Sequence, residues 1–141
     1  MSDEVIEKFC EVYRQLNKEN INKLATIYSN NVIFVDAVER IEGLDELQRY
    51  FNRLYKNISF CRFDIEQTIV GQGQASVIWT MTFSHQRLKS GKSIEVHGCS
   101  HLKFTEKIYY HRDYLDLGEM VYEQLPLLGR VIKLIKRRIS Q

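Results

Sequence analysis

A chain of 141 residues with one proline and seven glycines reads as a single domain, 1–141, able to bury a core and leaving no room for a disordered linker. Its net charge of +2 is too small to argue for nucleic acid, and no apolar run approaches the roughly 20 residues of a membrane span. Three cysteines (Cys10, Cys61 and Cys99) form no metal-type pairing and leave an odd count, which fits reduced thiols in a cytoplasmic protein.

Val5, Ile6, Phe9, Cys10, Tyr13 and Leu16 fall on one face of a helix over 3–16, with Asp3 and Glu4 where a helix start favours negative charge. The acidic, amphipathic start is unlike a signal peptide. Ile21, Leu24, Ala25 and Tyr28 predict a second short helix that stops at Asn30-Asn31, and Val32 to Asp36 reads as a strand. Gly43 opens a third helix with Leu44, Leu47, Tyr50, Phe51 and Leu54 on its buried side.

After Lys56 the period changes to two. Phe63, Ile65 and Ile69 lead to a turn at Gly71-Gln72-Gly73, and in the next strand Ala75, Val77, Trp79, Met81 and Phe83 share one face. Beyond Ser90-Gly91, a further strand sets Ile94, Val96, Gly98, Ser100, Leu102 and Phe104 against Glu95, His97, Cys99, His101 and Lys103. A last strand spans about 107–114, and a helical region follows, interrupted near Pro126-Gly129. Helices followed by an antiparallel meander predict an α+β fold, a curved sheet wrapped around N-terminal helices and enclosing a cone-shaped cavity.

The element order and the segment Lys107-Ile108-Tyr109-Tyr110-His111-Arg112-Asp113-Tyr114-Leu115-Asp116-Leu117 resemble the nuclear transport factor 2-like superfamily of cystatin-like fold, closest to its SnoaL-like and limonene epoxide hydrolase branches. The resemblance covers nearly the whole chain. It implies the cone fold, often a homodimer through the outer sheet face, and a pocket for a hydrophobic small molecule; no cofactor is expected. In the epoxide hydrolases a last-strand Asp activates water, and Asp113 matches it. Their mechanism also needs an Arg and a second Asp, and here those positions fall on Met81 and Phe83. A water-binding Tyr and Asn fall on Phe34 and Asp36. Epoxide hydrolysis is therefore not the expected reaction.

The resemblance instead brings Asp36 and Asp113 to one apolar cavity lined by Phe34, Tyr50, Trp79, Met81, Phe83 and Val96. Two carboxylates close together in a low dielectric cannot both ionise cheaply, which suits acid/base work at carbon next to a carbonyl. His111 shares the strand phase of Asp113 and could tune it, although Ile108 and Tyr110 argue for the opposite inward phase. Asp116 reads as a cap of the following helix. His97 and His101 lie about 13 Å apart on a strand, too far to share a metal, and alternate onto the outer face.

The tail, 126–141, carries Arg130, Lys133, Lys136, Arg137 and Arg138 among branched aliphatics, with no acid. The simplest reading is a helix packed on the domain with a solvated basic face; an anionic membrane surface or a protein partner ranks behind it. RNA is not expected, since no aromatic platform accompanies the charge. Two function classes remain: an acid/base isomerase, cyclase or lyase, and a non-catalytic ligand-binding or interaction module.

Overall fold

The computed structural model describes residues 2–86, 88, 91–116, 118 and 126–140. Helix α1 (Ser2–Gln15) and a 3-10 helix (Ile21–Thr26) precede strands β1 (Tyr28–Val35) and β2 (Arg40–Glu42). Helix α2 (Leu44–Lys56) follows, then β3 (Ile58–Val70), β4 (Gln74–His85), β5 (Ile94–Phe104), β6 (Ile108–Leu115) and α3 (Pro126–Ser140). The strands form one sheet in the order β2-β1-β6-β5-β4-β3. Neighbours are antiparallel except β1 and β6, which run parallel. This is the expected α+β architecture of N-terminal helices against a curved sheet.

Two local readings are corrected. The second helix is a 3-10 turn, and Tyr28 belongs to β1, so β1 starts earlier than Val32 and ends before Asp36. The short β2 pairs with the end of β1 across the turn that Asp36 organises. On α2, Tyr55 is buried and Leu54 is exposed, the reverse of the periodic expectation.

The core forms where α1 and α2 lay their apolar faces on the sheet. Ile6, Phe9, Cys10 and Tyr13 of α1, with Leu16 just past its end, meet Leu47 and Phe51 of α2 and the inner side chains of β1, β4, β5 and β6. Register shifts interrupt the β1–β6, β3–β4 and β5–β6 pairings, and such bulges bend a sheet around helices. The bulge in β6 resolves its ambiguous phase. Phe104 pairs with Ile108 while Lys103 pairs with Tyr110, so Tyr109 is an extra residue. The alternation slips by one there, and Ile108 and His111 both turn inward.

The C-terminal helix is not broken near Pro126-Gly129: α3 starts at Pro126 and runs through Gly129. Proline suits a first helical position, where its missing N–H is not needed and its φ is already helical. The helix expected between Asp116 and Leu125 lies outside the described residues, apart from Gly118. Asp116 bonds to Lys136 of α3 at 2.6 Å. No helix among the described residues is long and apolar enough to cross a membrane.

Gly98 of β5 stands directly opposite Trp79 of β4. A Cβ at Gly98 would lie 2.6 Å from Cζ2 and 2.7 Å from Cζ3 of the indole, so the ring occupies the space a side chain would need. Gly98→Ala should cost about 1–3 kcal/mol by overpacking, read as a lower urea midpoint together with altered Trp79 emission.

Candidate functional site

The open end of the sheet and the cavity-side face of α2 enclose a cavity of about 430 Å³. This is the size range of small-molecule pockets. Helical spacing brings Tyr50, Arg53 and Leu54 of α2, with Asn57 at its C-cap, to one wall. Alternation brings Trp79, Met81, Phe83 and His85 of β4 to the opposite wall. Phe34, Asp36 and Asp113 also line it. Val96 does not: it is fully buried, packed with Phe83 and Ile94 behind the wall.

Asp113 is 17% exposed in its side chain, and its Oδ1 accepts two hydrogen bonds, from Ser100 Oγ at 2.5 Å and from His111 Nε2 at 2.6 Å. Ser100 in turn accepts from Trp79 Nε1 at 2.9 Å. His111 is 1% exposed and does not line the cavity. It stands behind Asp113, with Nδ1 2.6 Å from the Tyr28 hydroxyl, which is itself 2.6 Å from the Tyr13 hydroxyl. The result is an unbroken line, Tyr13–Tyr28–His111–Asp113–Ser100–Trp79, through the apolar core.

The direction of the donors follows from hydrogen counting. Burial holds the Tyr13 and Tyr28 hydroxyls well above the ordinary tyrosine range, helped in both by the negative charge of Asp113. Both therefore stay protonated. If Tyr13 donates to Tyr28 and Tyr28 to His111 Nδ1, the imidazole carries its proton on Nε2 and gives it to Asp113, and every hydrogen has an acceptor. Reversing the line would leave the Tyr13 hydrogen without an acceptor among the described residues. The remaining carboxylate oxygen, Asp113 Oδ2, has no hydrogen-bond partner among them.

Asp36 lines the same cavity, but no hydrogen bond joins it to Asp113. Its Oδ1 accepts from the backbone N–H of Val38 and of Glu39, both at 2.8 Å, an Asx turn that shapes the β1–β2 connection. Its Oδ2 accepts from the Tyr50 hydroxyl. Burial, that bond and the charges of Asp36, Glu39 and Asp113 hold Tyr50 above its ordinary range. Tyr50 is thus the group that senses both acids. On the outer face His97 lies beside Thr80 and Glu95, and His101 beside Gln74. No group of metal-ligating side chains assembles among the described residues.

Sequence reasoning singled out Asp113 and His111 but missed Tyr13, Tyr28 and Ser100. Ser100 left a trace, as a polar residue on the apolar face of β5. The tyrosines read as ordinary core, and only the fold shows their hydroxyls converging.

The SnoaL-like domain model matches residues 7–111, about three quarters of the chain. The chain belongs to the SnoaL-like domain family. Asp113 lies two residues beyond that match. No curated protein matches the SnoaL-like chain. Among solved structures, a proposed SnoaL-like polyketide cyclase from Shewanella putrefaciens CN-32 is 18% identical, with a TM-score of 0.72 over 88% of this chain and 97% of that one. A Catenulispora acidiphila protein with a ketosteroid isomerase-like fold, solved with trimethylamine, is 16% identical, with a TM-score of 0.74 over 90% and 95% of the two chains. An epoxide hydrolase of M. tuberculosis, similar to limonene epoxide hydrolase, is 15% identical, with a TM-score of 0.72 over 93% and 96%. At these identities the likeness shows the fold.

The raised tyrosines set an alkaline limit. An unfolded tyrosine ionises near ~10, while Tyr13 and Tyr28 hold their protons well above that. Stability is therefore fully present below about pH 10 and falls as pH rises further, because there only the unfolded chain releases protons. Cys61, pushed up to about 11 by burial, adds in the same sense. Guanidinium midpoints between neutral pH and pH ~11 should fall steeply at the alkaline end, and Tyr28→Phe should flatten that fall while lowering the neutral midpoint.

Proposed function

We propose that this SnoaL-like protein binds a hydrophobic carbonyl compound in its cavity and moves a proton at the carbon next to the carbonyl, with Asp113 as acid/base. One observation carries the reading. A carboxylate on an apolar wall has one oxygen held by Ser100 and His111 and the other without a partner among the described residues. The free oxygen takes the proton from substrate carbon and returns it at another position, as isomerases, cyclases and lyases of this type require.

His111 is a positioning residue: it fixes the carboxylate and, through Tyr28, is itself held in one tautomer. Trp79, Met81 and Phe83 exclude water and seat the apolar body of the ligand. Tyr50, kept protonated beside Asp36, offers a polar group on the cavity wall. Epoxide opening is not part of the reading, because Met81 and Phe83 offer nothing to polarise or protonate an epoxide oxygen. The same apolar wall favours a second reading, a non-catalytic ligand-binding module, since the Trp79 N–H already serves Ser100.

Trp79 is the single tryptophan, so its fluorescence reports cavity occupancy in a screen of hydrophobic ketones and polyketide-like compounds. For a compound that is turned over, Asp113→Asn should cut the rate by about 10²–10⁴ with only a small change in binding. Unchanged turnover would remove Asp113 from the chemistry. Tight binding without conversion across the panel would select the second reading.

The same proposal includes a homodimer through the outer sheet face, where Phe60 and Ile69 of β3 and Tyr114 of β6 stay exposed. Sizing by light scattering should give twice the chain mass, and Ile69→Glu should shift it toward the monomer. A wild-type monomer at micromolar concentration would end this part of the reading.

A further inference from the structure

Helix α3 leaves four of its apolar side chains exposed. Val131 is 46% exposed, Leu134 47%, Ile135 51% and Ile139 79%, contrary to the expectation of a helix packed on the domain. At 3.6 residues per turn these four fall within about 140° of one another, while Arg130, Lys133 and Arg137 cluster on the other side. Arg138 lies on the apolar side in the last turn, where a long stem lets its charge reach outward. The helix is tied to the domain by Lys136, ion-paired with Asp116, and Gly129 is buried at its start. Asp116 directly follows Leu115 of the cavity wall. Arg130, Lys133, Arg137 and Arg138 have no ion pair to an acid among the described residues.

We propose that α3 docks in plane on an anionic lipid surface. Such a surface serves both faces of the helix together: the aliphatics enter the acyl boundary while the bases meet anionic headgroups. A nucleic acid would neutralise the bases and leave the aliphatics in water. A second copy on this face would bring two helices of five bases and no acids against each other. Docking also sets the cavity wall at Leu115 close to the bilayer, from which an apolar ligand can enter; that consequence alone rests on the function proposed above.

The test is flotation of the full chain with two kinds of vesicle, phosphatidylcholine alone and phosphatidylcholine mixed with phosphatidylglycerol. Wild-type protein should float with the anionic vesicles, at least tenfold more weakly with the neutral ones, and should be released by high salt. Lys133→Glu with Arg137→Glu should weaken partitioning by roughly fivefold or more per charge changed, and Leu134→Ser with Ile135→Ser should also abolish it. Both double variants should keep wild-type Trp79 emission and thermal midpoint, which separates lost docking from lost folding. Absence of vesicle binding, equal binding to both vesicles, or variants that bind like wild type would overturn the proposal. So would self-association, or binding to a duplex oligonucleotide, that is lost in the same variants while vesicle binding is absent. None of these readouts depends on whether Asp113 catalyses anything, so either proposal can fail alone.

Discussion

Tyr13, Tyr28, His111, Asp113, Ser100 and Trp79 bring six polar groups into a space built from aromatic and aliphatic side chains. A buried polar group without a partner costs roughly 1–3 kcal/mol, and a charged one more. The line avoids that cost because each member satisfies the next, from the α1 face to the β4 strand. Among the described residues, no buried side-chain nitrogen or oxygen lacks a partner. The line joins α1, β1, β6, β5 and β4 through their buried polar groups.

The same line explains why Asp113 differs chemically from Asp36 although both line one cavity. Asp36 serves local structure: two backbone amides and a tyrosine hydroxyl occupy both its oxygens, and the β1–β2 turn depends on them. Asp113 keeps one oxygen unengaged among the described residues, while Ser100 of β5 and His111 of β6 hold the other. Pre-organisation of this kind is what the proposed acid/base role of Asp113 requires. The packing around His111 reinforces it, with the rings of Phe9, Tyr13 and Phe34 set against the imidazole. That aromatic collar keeps water from competing for the His111–Asp113 bond.

The cavity and α3 are two separate departures from close packing. At the wide end of the cone, the sheet curves away from α2 faster than Trp79, Met81 and Phe83 can fill, which leaves room for a ligand. On α3, Val131, Leu134, Ile135 and Ile139 stay exposed, while an ion pair from Lys136 and the buried Gly129 tie the helix to the domain. A domain this size can bury a complete core without either feature. Both are the features on which the two proposals rest.

Periodicity alone determined the α+β class, the faces of α1 and β4, and Asp113 as a carboxylate at a strand end, because local side-chain spacing is set by helix and strand geometry. The segment from Lys107 to Leu117 carried the family resemblance for the same reason, as a contiguous local pattern. Other features needed the folded chain. The phase of β6 depends on a one-residue bulge opposite Phe104, and no alternation rule reports a bulge. Tyr28 meets His111 across 83 positions when β1 pairs with β6, and Tyr13 meets Tyr28 when α1 lies on the sheet, so their hydroxyls read as core until then. Val96 shares its face with Ser100, yet it falls behind the wall because Phe83 covers it. The tertiary structure decided these points because each depends on which distant surface a side chain meets, and sequence spacing records only the neighbours along the chain.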